Sequence, residues 1–128
     1  MSDLMNTMSA SASGMNAQAS RLRVVTENIA NADTPGYQRK LVPFEAVMNG
    51  SVEGVRAGRV RLSPVELTQI HDPAHPLAND DGMYQGSNVS LMTEIADARE
   101  AQRSYEANLR MFDQARQMTA RLLDLLRR

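Results

Sequence analysis

A row of mostly apolar positions runs from Val89 to Leu126 at alternating steps of four and three. Its members are Leu91, Ile95, Ala98, Gln102, Tyr105, Leu109, Phe112, Arg116, Thr119, Leu123 and Leu126. That spacing keeps side chains on one side of a helix, because 3.6 residues make a turn. From Asn108 a neighbouring row, Met111, Ala115, Met118, Leu122 and Leu125, becomes the greasier one, so the stripe widens and drifts toward the C-terminus. No Gly or Pro interrupts the run, and Asn88 or Ser90 can cap its start. Glu100 with Arg103, and Glu106 with Arg110, stand at spacings that let opposite charges meet on the outer face. A helix of this length is about 57 Å long, well beyond the roughly 30 Å breadth of a compact domain of this size. Its stripe needs a partner.

Met1, Met8, Met15, Leu22 and Ile29 recur every seven residues, with Met5, Ala12 and Ala19 four after the first three. This predicts a second amphipathic helix with a narrow stripe of small and flexible residues. Gly14 and the serines lower its intrinsic stability, and a tail that folds only on contact is the alternative for the first ten residues. The helix should stop near Asn31. Thr34-Pro35-Gly36 is a turn signal, with Pro fixing φ at one central position and Gly supplying positive φ at the next. Asn28, Asn31 and Asp33 can bond the backbone groups freed there; a plain helix terminator is the simpler reading of the cluster.

Beyond Tyr37 the pattern shortens. Residues 38–44 look extended, with Pro43 confining them to an edge or bend. Val55, Val60 and Leu62 suggest one strand, and Val65, Leu67 and Ile70 another, with turns at Gly50, Gly54 and Gly58. Three short strands could make a small sheet, with residues 46–60 open between sheet and loop. His71 to Gly82, with two prolines, reads as a rigid extended connector into the long helix. The expected fold is mainly α: N- and C-terminal helices pair as an antiparallel hairpin or coiled coil around a small irregular β-containing middle. The segments are 1–32, 33–88 and 89–128.

Composition changes this picture in three ways. There are 14 basic and 15 acidic residues, so total charge favours neither nucleic acid nor an acidic membrane. Aromatics make up 4% and Trp is absent, while Met is frequent, giving a core that is adaptable and completed by neighbours. Cysteine is absent, which excludes disulfides and thiolate metal sites. No basic segment followed by an apolar one marks a cleaved secretory signal. On these features alone the chain reads as soluble and cytoplasmic.

The sequence carries little that supports catalytic chemistry. No Gly-rich phosphate loop is present, and the serines lie far in sequence from either His. His71 and His75 sit among prolines that forbid a helical His-x-x-x-His face, and no third metal ligand is placed by spacing. Arg56, Arg59 and Arg61 lack the interleaved aromatics that single-stranded nucleic acid stacks upon. No enzyme, cofactor, metal or small-molecule substrate is expected.

The exit "NIANADTPGYQRK", the loop "HDPAHPLANDDG", the following "NVSLMTEIADAREAQRSYEANL" and the close "EAQRSYEANLRMFDQARQMTARLLDLL" resemble the axial rod and hook proteins of the bacterial flagellum. Within that family the later text is similar to subunits of the proximal rod, and a companion rod protein is the alternative. The resemblance implies a structural subunit of the basal-body rod in the periplasm, exported without a cleaved signal by the flagellar type III export apparatus. It also implies self-association and contacts with other flagellar rod proteins and a rod-base adaptor protein. The candidate interface residues are Met8, Met15, Leu22, Ile29, Tyr105, Leu109, Phe112, Met118, Leu122, Leu123 and Leu126. Asn28, Asn31, Pro35, Gly36 and Tyr37 form the candidate helix exit. A helical adaptor that docks one amphipathic helix without polymerising is the alternative from another class.

Overall fold

The computed structural model describes residues 2–127, so Met1 of the first heptad row lies outside the described residues. Two helices, α1 (Ser2–Ala30) and α2 (Leu91–Arg127), enclose six short strands in the chain between them. The first helix is continuous through Gly14 to its N-terminal turn, so the expected helix forms there. At α2 the Ser90 carbonyl accepts the first helical bond from Glu94 N–H, which puts Ser90 at the cap position. Asn88 does not cap. Its side chain accepts from Arg39 N–H and donates to the Ser63 and Val65 carbonyls, fastening the middle segment instead.

The helices pair antiparallel. Gly14 faces Asn108, Arg21 reaches Asp97, and Asn28 reaches Glu94. The paired residue numbers sum to about 120, so Ser2 lies near the level of Ala120, and every described residue from Ala120 onward is exposed. At about 1.5 Å per residue, the last turns of α2 project roughly 10 Å past the start of α1.

The seam is not the row that hydrophobicity predicts. On α1 the buried residues are Ser11, Gly14, Ala17, Val25 and Asn28; on α2 they are Glu94, Ala101 and Ala115. Small side chains let the backbones approach closely. A Cβ on Gly14 would sit 2.7 Å from Asn108 Nδ2. The larger apolar residues are displaced to the flanks of this seam, because a Leu or Met there would push the helices apart.

The middle segment makes three separate two-stranded pairs and no three-stranded sheet. β1 (Lys40–Leu41) pairs with β4 (Arg61–Leu62), β2 (Phe44–Asn49) with β3 (Val52–Ala57), and β5 (Gln69–His71) with β6 (Met83–Gln85), all antiparallel. Most of residues 46–60 thus belongs to a regular hairpin. Gly50, at φ 67°, and Ser51 close it as a two-residue turn. β3 packs on α1, where Val55 N–H donates to Ser13 Oγ at 3.1 Å and Gly54 leaves room for that hydroxyl. Residues 71–82, expected as an extended connector, form the closed turn of the β5–β6 pair.

Candidate assembly surface

The helix exit is built as a polar node. Asn28, 1% exposed, donates to the Lys40 carbonyl and accepts from Lys40 N–H, both at 2.9 Å. Tyr37 donates its hydroxyl to Asn28 Oδ1 at 2.8 Å. Asn28 therefore does not terminate the helix. It bonds both backbone groups of Lys40, in addition to the pairing of β1 with β4, and holds the returning chain against α1. Thr34-Pro35-Gly36-Tyr37 forms the expected turn, with Gly36 at φ 74° and Tyr37 N–H bonded to the Thr34 carbonyl at 3.2 Å. Pro35 and Gly36 are exposed, and Gly36 N–H also reaches the Gln85 and Gly86 carbonyls, joining the exit to β6. Asn31 donates to the Glu27 carbonyl and accepts from Thr34.

Below Asn28 lies Glu94, fully buried. Arg39 Nε bonds its carboxylate, and the same guanidinium reaches Asp97 at 2.8 Å. Arg21 of α1 bonds Asp97 at 3.3 Å and Glu100 at 3.4 Å. Two arginines are thus threaded between three carboxylates of α2, tying α1, β1 and α2 together. At the edge, Lys40 pairs with Glu27 at 2.5 Å, and this hydrogen bond raises the Lys40 pKa. Burial, with Glu27 nearby, raises that of Tyr37. Glu100, expected beside Arg103, is drawn across to Arg21, and Glu106 forms no ion pair with Arg110.

The candidate interface residues fall on the flanks left by the seam. At about 100° per residue, Leu91, Ala98 and Leu109 stand roughly 60–80° to one side of Ala101, and Met111, Met118 and Leu122 lie roughly 60–100° to the other. On α1, Met8, Met15, Leu22 and Ile29 occupy one flank of Gly14, while Ser13, which holds the β2–β3 hairpin, occupies the opposite one. Two right-handed helices packed antiparallel bring like flanks to the same side. So Met8, Met15, Leu22 and Ile29 join Leu91, Ile95, Ala98, Tyr105 and Leu109 in one face, on the side away from the hairpin. Met8, Met15, Leu22 and Phe112 are half-buried, and Ile29, Tyr105 and Leu109 are exposed. None of these residues is charged; the face runs about 30 Å along the pair, and the exposed Arg116 with its partner Asp113 borders its far end.

Met118, Leu122, Leu123 and Leu126 lie elsewhere, at or near the projecting end of α2. All are exposed, Leu126 to 77%. Four leucines within five residues, Leu122, Leu123, Leu125 and Leu126, leave little of that tip polar. No group of three or more His, Cys, Asp or Glu that could hold a metal ion occurs among the described residues. His71 and His75 serve the β5–β6 turn.

Most of each helix falls within a match to a known family. The family described as "Flagella basal body rod protein" matches residues 8–38, which span most of α1 and its exit. The family described as "Flagellar basal body rod FlgEFG protein C-terminal" matches residues 80–125, which contain β6 and nearly all of α2. The flagellar basal-body rod protein FlgC of Agrobacterium fabrum is 41% identical over 124 residues, covering 90% of this chain and 89% of that protein. The chain belongs to the FlgC family of flagellar rod proteins. FlgC of Aquifex aeolicus is 34% identical, with 97% of this chain and 98% of that protein covered. FlgC of Salmonella typhimurium is 30% identical, with 95% and 97% covered. The companion rod protein FlgB, the alternative within the resemblance, is not favoured.

Sequence patterning offers these apolar residues as candidates but not their separation into a face and a tip. It missed the node residues Arg39, Glu94 and Asp97 and the arginine of α1 that joins them. Their one signal was Arg39 beside Lys40 immediately after a turn.

Proposed function

We propose that this chain is a structural subunit of the proximal rod of the flagellar basal body, carrying torque from rotor to hook through packed helices. The observation that carries this reading is the largely apolar two-helix face, which no other described part of the chain covers. Its contacts with neighbours are apolar and continuous along the pair. The leucine tip is a second, different patch, and contacts between unlike patches propagate as a helical assembly instead of closing.

The same physics favours export before folding. Among the described residues the buried apolar side chains are only Ala17, Val25, Ala101 and Ala115, and no disulfide must be broken. Such a chain unfolds at little cost and gains the rest of its packing from neighbours. Passage through the flagellar type III export apparatus without a cleaved signal, and contact with an adaptor protein at the rod base, complete the proposal. No described helix is long and apolar enough to cross a membrane.

The test is Ile95→Asp with Leu109→Asp in a strain lacking its own copy. Both residues are exposed, so the subunit keeps its fold, and rods and swimming are lost. Normal swimming with the double variant present in basal bodies overturns the reading. Sedimentation with rod partners at rising concentration separates polymerisation from a helical adaptor, which stops at a fixed complex.

A further inference from the structure

Arg99, Arg103 and Arg110 stand on the back of α2, at separations of four and seven residues that return each to one line opposite the seam. All three are exposed, and among the described residues no ion pair holds any of them. Spacing offers these arginines Glu100, which Arg21 has taken, and Glu106, which stands between Arg103 and Arg110 and pairs with neither. Three unpaired arginines against the single carboxylate of Glu106 leave this face basic, which suits an acidic surface.

The same chain presents one. Asp80 and Asp81 are exposed in the β5–β6 turn, without an ion pair among the described residues. The turn is braced from inside. Asn79 Oδ1 accepts from Asp81 N–H and Met83 N–H, both at 3.0 Å, and Gly82 adopts φ 77°. The His75 ring stacks on Tyr84 with centroids 3.9 Å apart, and its Nδ1 accepts from Leu77 N–H. A preformed turn loses little freedom on docking.

The two patches do not meet within one chain. The β5–β6 pair is tied to the helix exit at Gly36, whereas Arg110 lies about 29 Å along α2 from Leu91. A second copy shifted along the long axis brings them together. We propose that the Asp80–Asp81 turn of one copy docks on the Arg103–Arg110 line of a second copy. The inference rests on the rod reading and adds register to it. A largely apolar face gives adhesion but little to fix axial position, whereas opposed charges penalise every wrong shift.

The chain has no cysteine, so introduced thiols report without background. Asp81→Cys and Arg110→Cys variants are co-expressed and basal bodies are isolated and oxidised. The expected product is a disulfide-linked dimer of this chain that needs both variants. Separately, Arg103→Glu with Arg110→Glu lowers the number of rods per cell at least tenfold. Adding Asp80→Arg and Asp81→Arg restores it to within twofold. Raising salt from about 0.1 to 1 M, which shortens the screening length from about 10 to 3 Å, weakens assembly of the original pair. No cross-link and no rescue, in rods that still contain the chain, overturn the docking and leave the rod reading standing. Absence of the unsubstituted chain from basal bodies overturns both.

Discussion

Arg39 bonds the carboxylate of Glu94, a side chain with no exposed surface, and the same guanidinium holds Asp97. The pair joins the chain just after the turn to the first helical turn of α2. It sets where the middle segment sits on the hairpin.

Removing one member leaves the other charge buried. Arg39→Met is therefore expected to destabilise the subunit by about 3–5 kcal/mol. The double variant Arg39→Met, Glu94→Leu removes both charges and recovers at least half of that loss. Urea unfolding followed by circular dichroism measures both. If the double variant is no more stable than Arg39→Met, the buried carboxylate is not the source of the loss.

How far these features were legible from sequence depends on their range. The helices and the Thr34–Tyr37 turn come from short-range rules, and both form as the periodicity and the Pro-Gly pair require. The β2–β3 hairpin carried its signal in Gly50-Ser51, two residues of a known hairpin type between runs that pair. It was obscured because β2 alternates weakly, with Phe44 and Met48 both exposed. The seam was misplaced because hydrophobicity ranks Leu and Met above Ala and Gly, while close helix approach selects the small residues. Burial of Glu94 was illegible, since a carboxylate is placed inside only by partners distant in sequence.

Gly14 tests that close approach. An Ala there gains roughly 0.8–1 kcal/mol in helix propensity, yet its Cβ meets the whole Asn108 amide at 2.7–2.9 Å. Asn108 also donates to the Ser104 carbonyl at 3.0 Å, so it does not swing away freely. Gly14→Ala is expected to destabilise the hairpin. In an Asn108→Ala background the obstruction is gone, and the same change is expected to stabilise it. A stabilising Gly14→Ala in the original chain would show that the helices separate easily.

The node also predicts behaviour in alkali. Tyr37 and Lys40 both have raised pKa values in the folded chain. Above about pH 10 the unfolded chain loses these protons more readily than the folded one, so stability falls as pH rises. The contribution of the Lys40–Glu27 pair is fully present below the unfolded Lys value and is lost through the folded one. The urea midpoint should be level between about pH 7 and 9 and drop above 10, more shallowly in Lys40→Met and in Tyr37→Phe. A midpoint that rises above pH 10 contradicts the direction of both shifts.

Leu123 decides whether the tip of α2 is packed in the assembly. In the single chain it is 42% exposed and lies past the start of α1, beside Leu122 and Leu126. Leu123→Asp should therefore leave the unfolding midpoint of the isolated subunit within about 0.5 kcal/mol of the original. In a rod the same position recurs in every copy. Burying a Leu contributes about 1.5–3 kcal/mol, and burying a carboxylate without a partner adds a further cost at each junction. The variant is thus expected to be made and to remain folded, yet to leave cells without rods and non-motile. Gln117→Asp places the same carboxylate on the exposed back of the helix and should swim normally. Intact basal bodies that contain Leu123→Asp and drive normal motility would show that the leucine tip meets no neighbour.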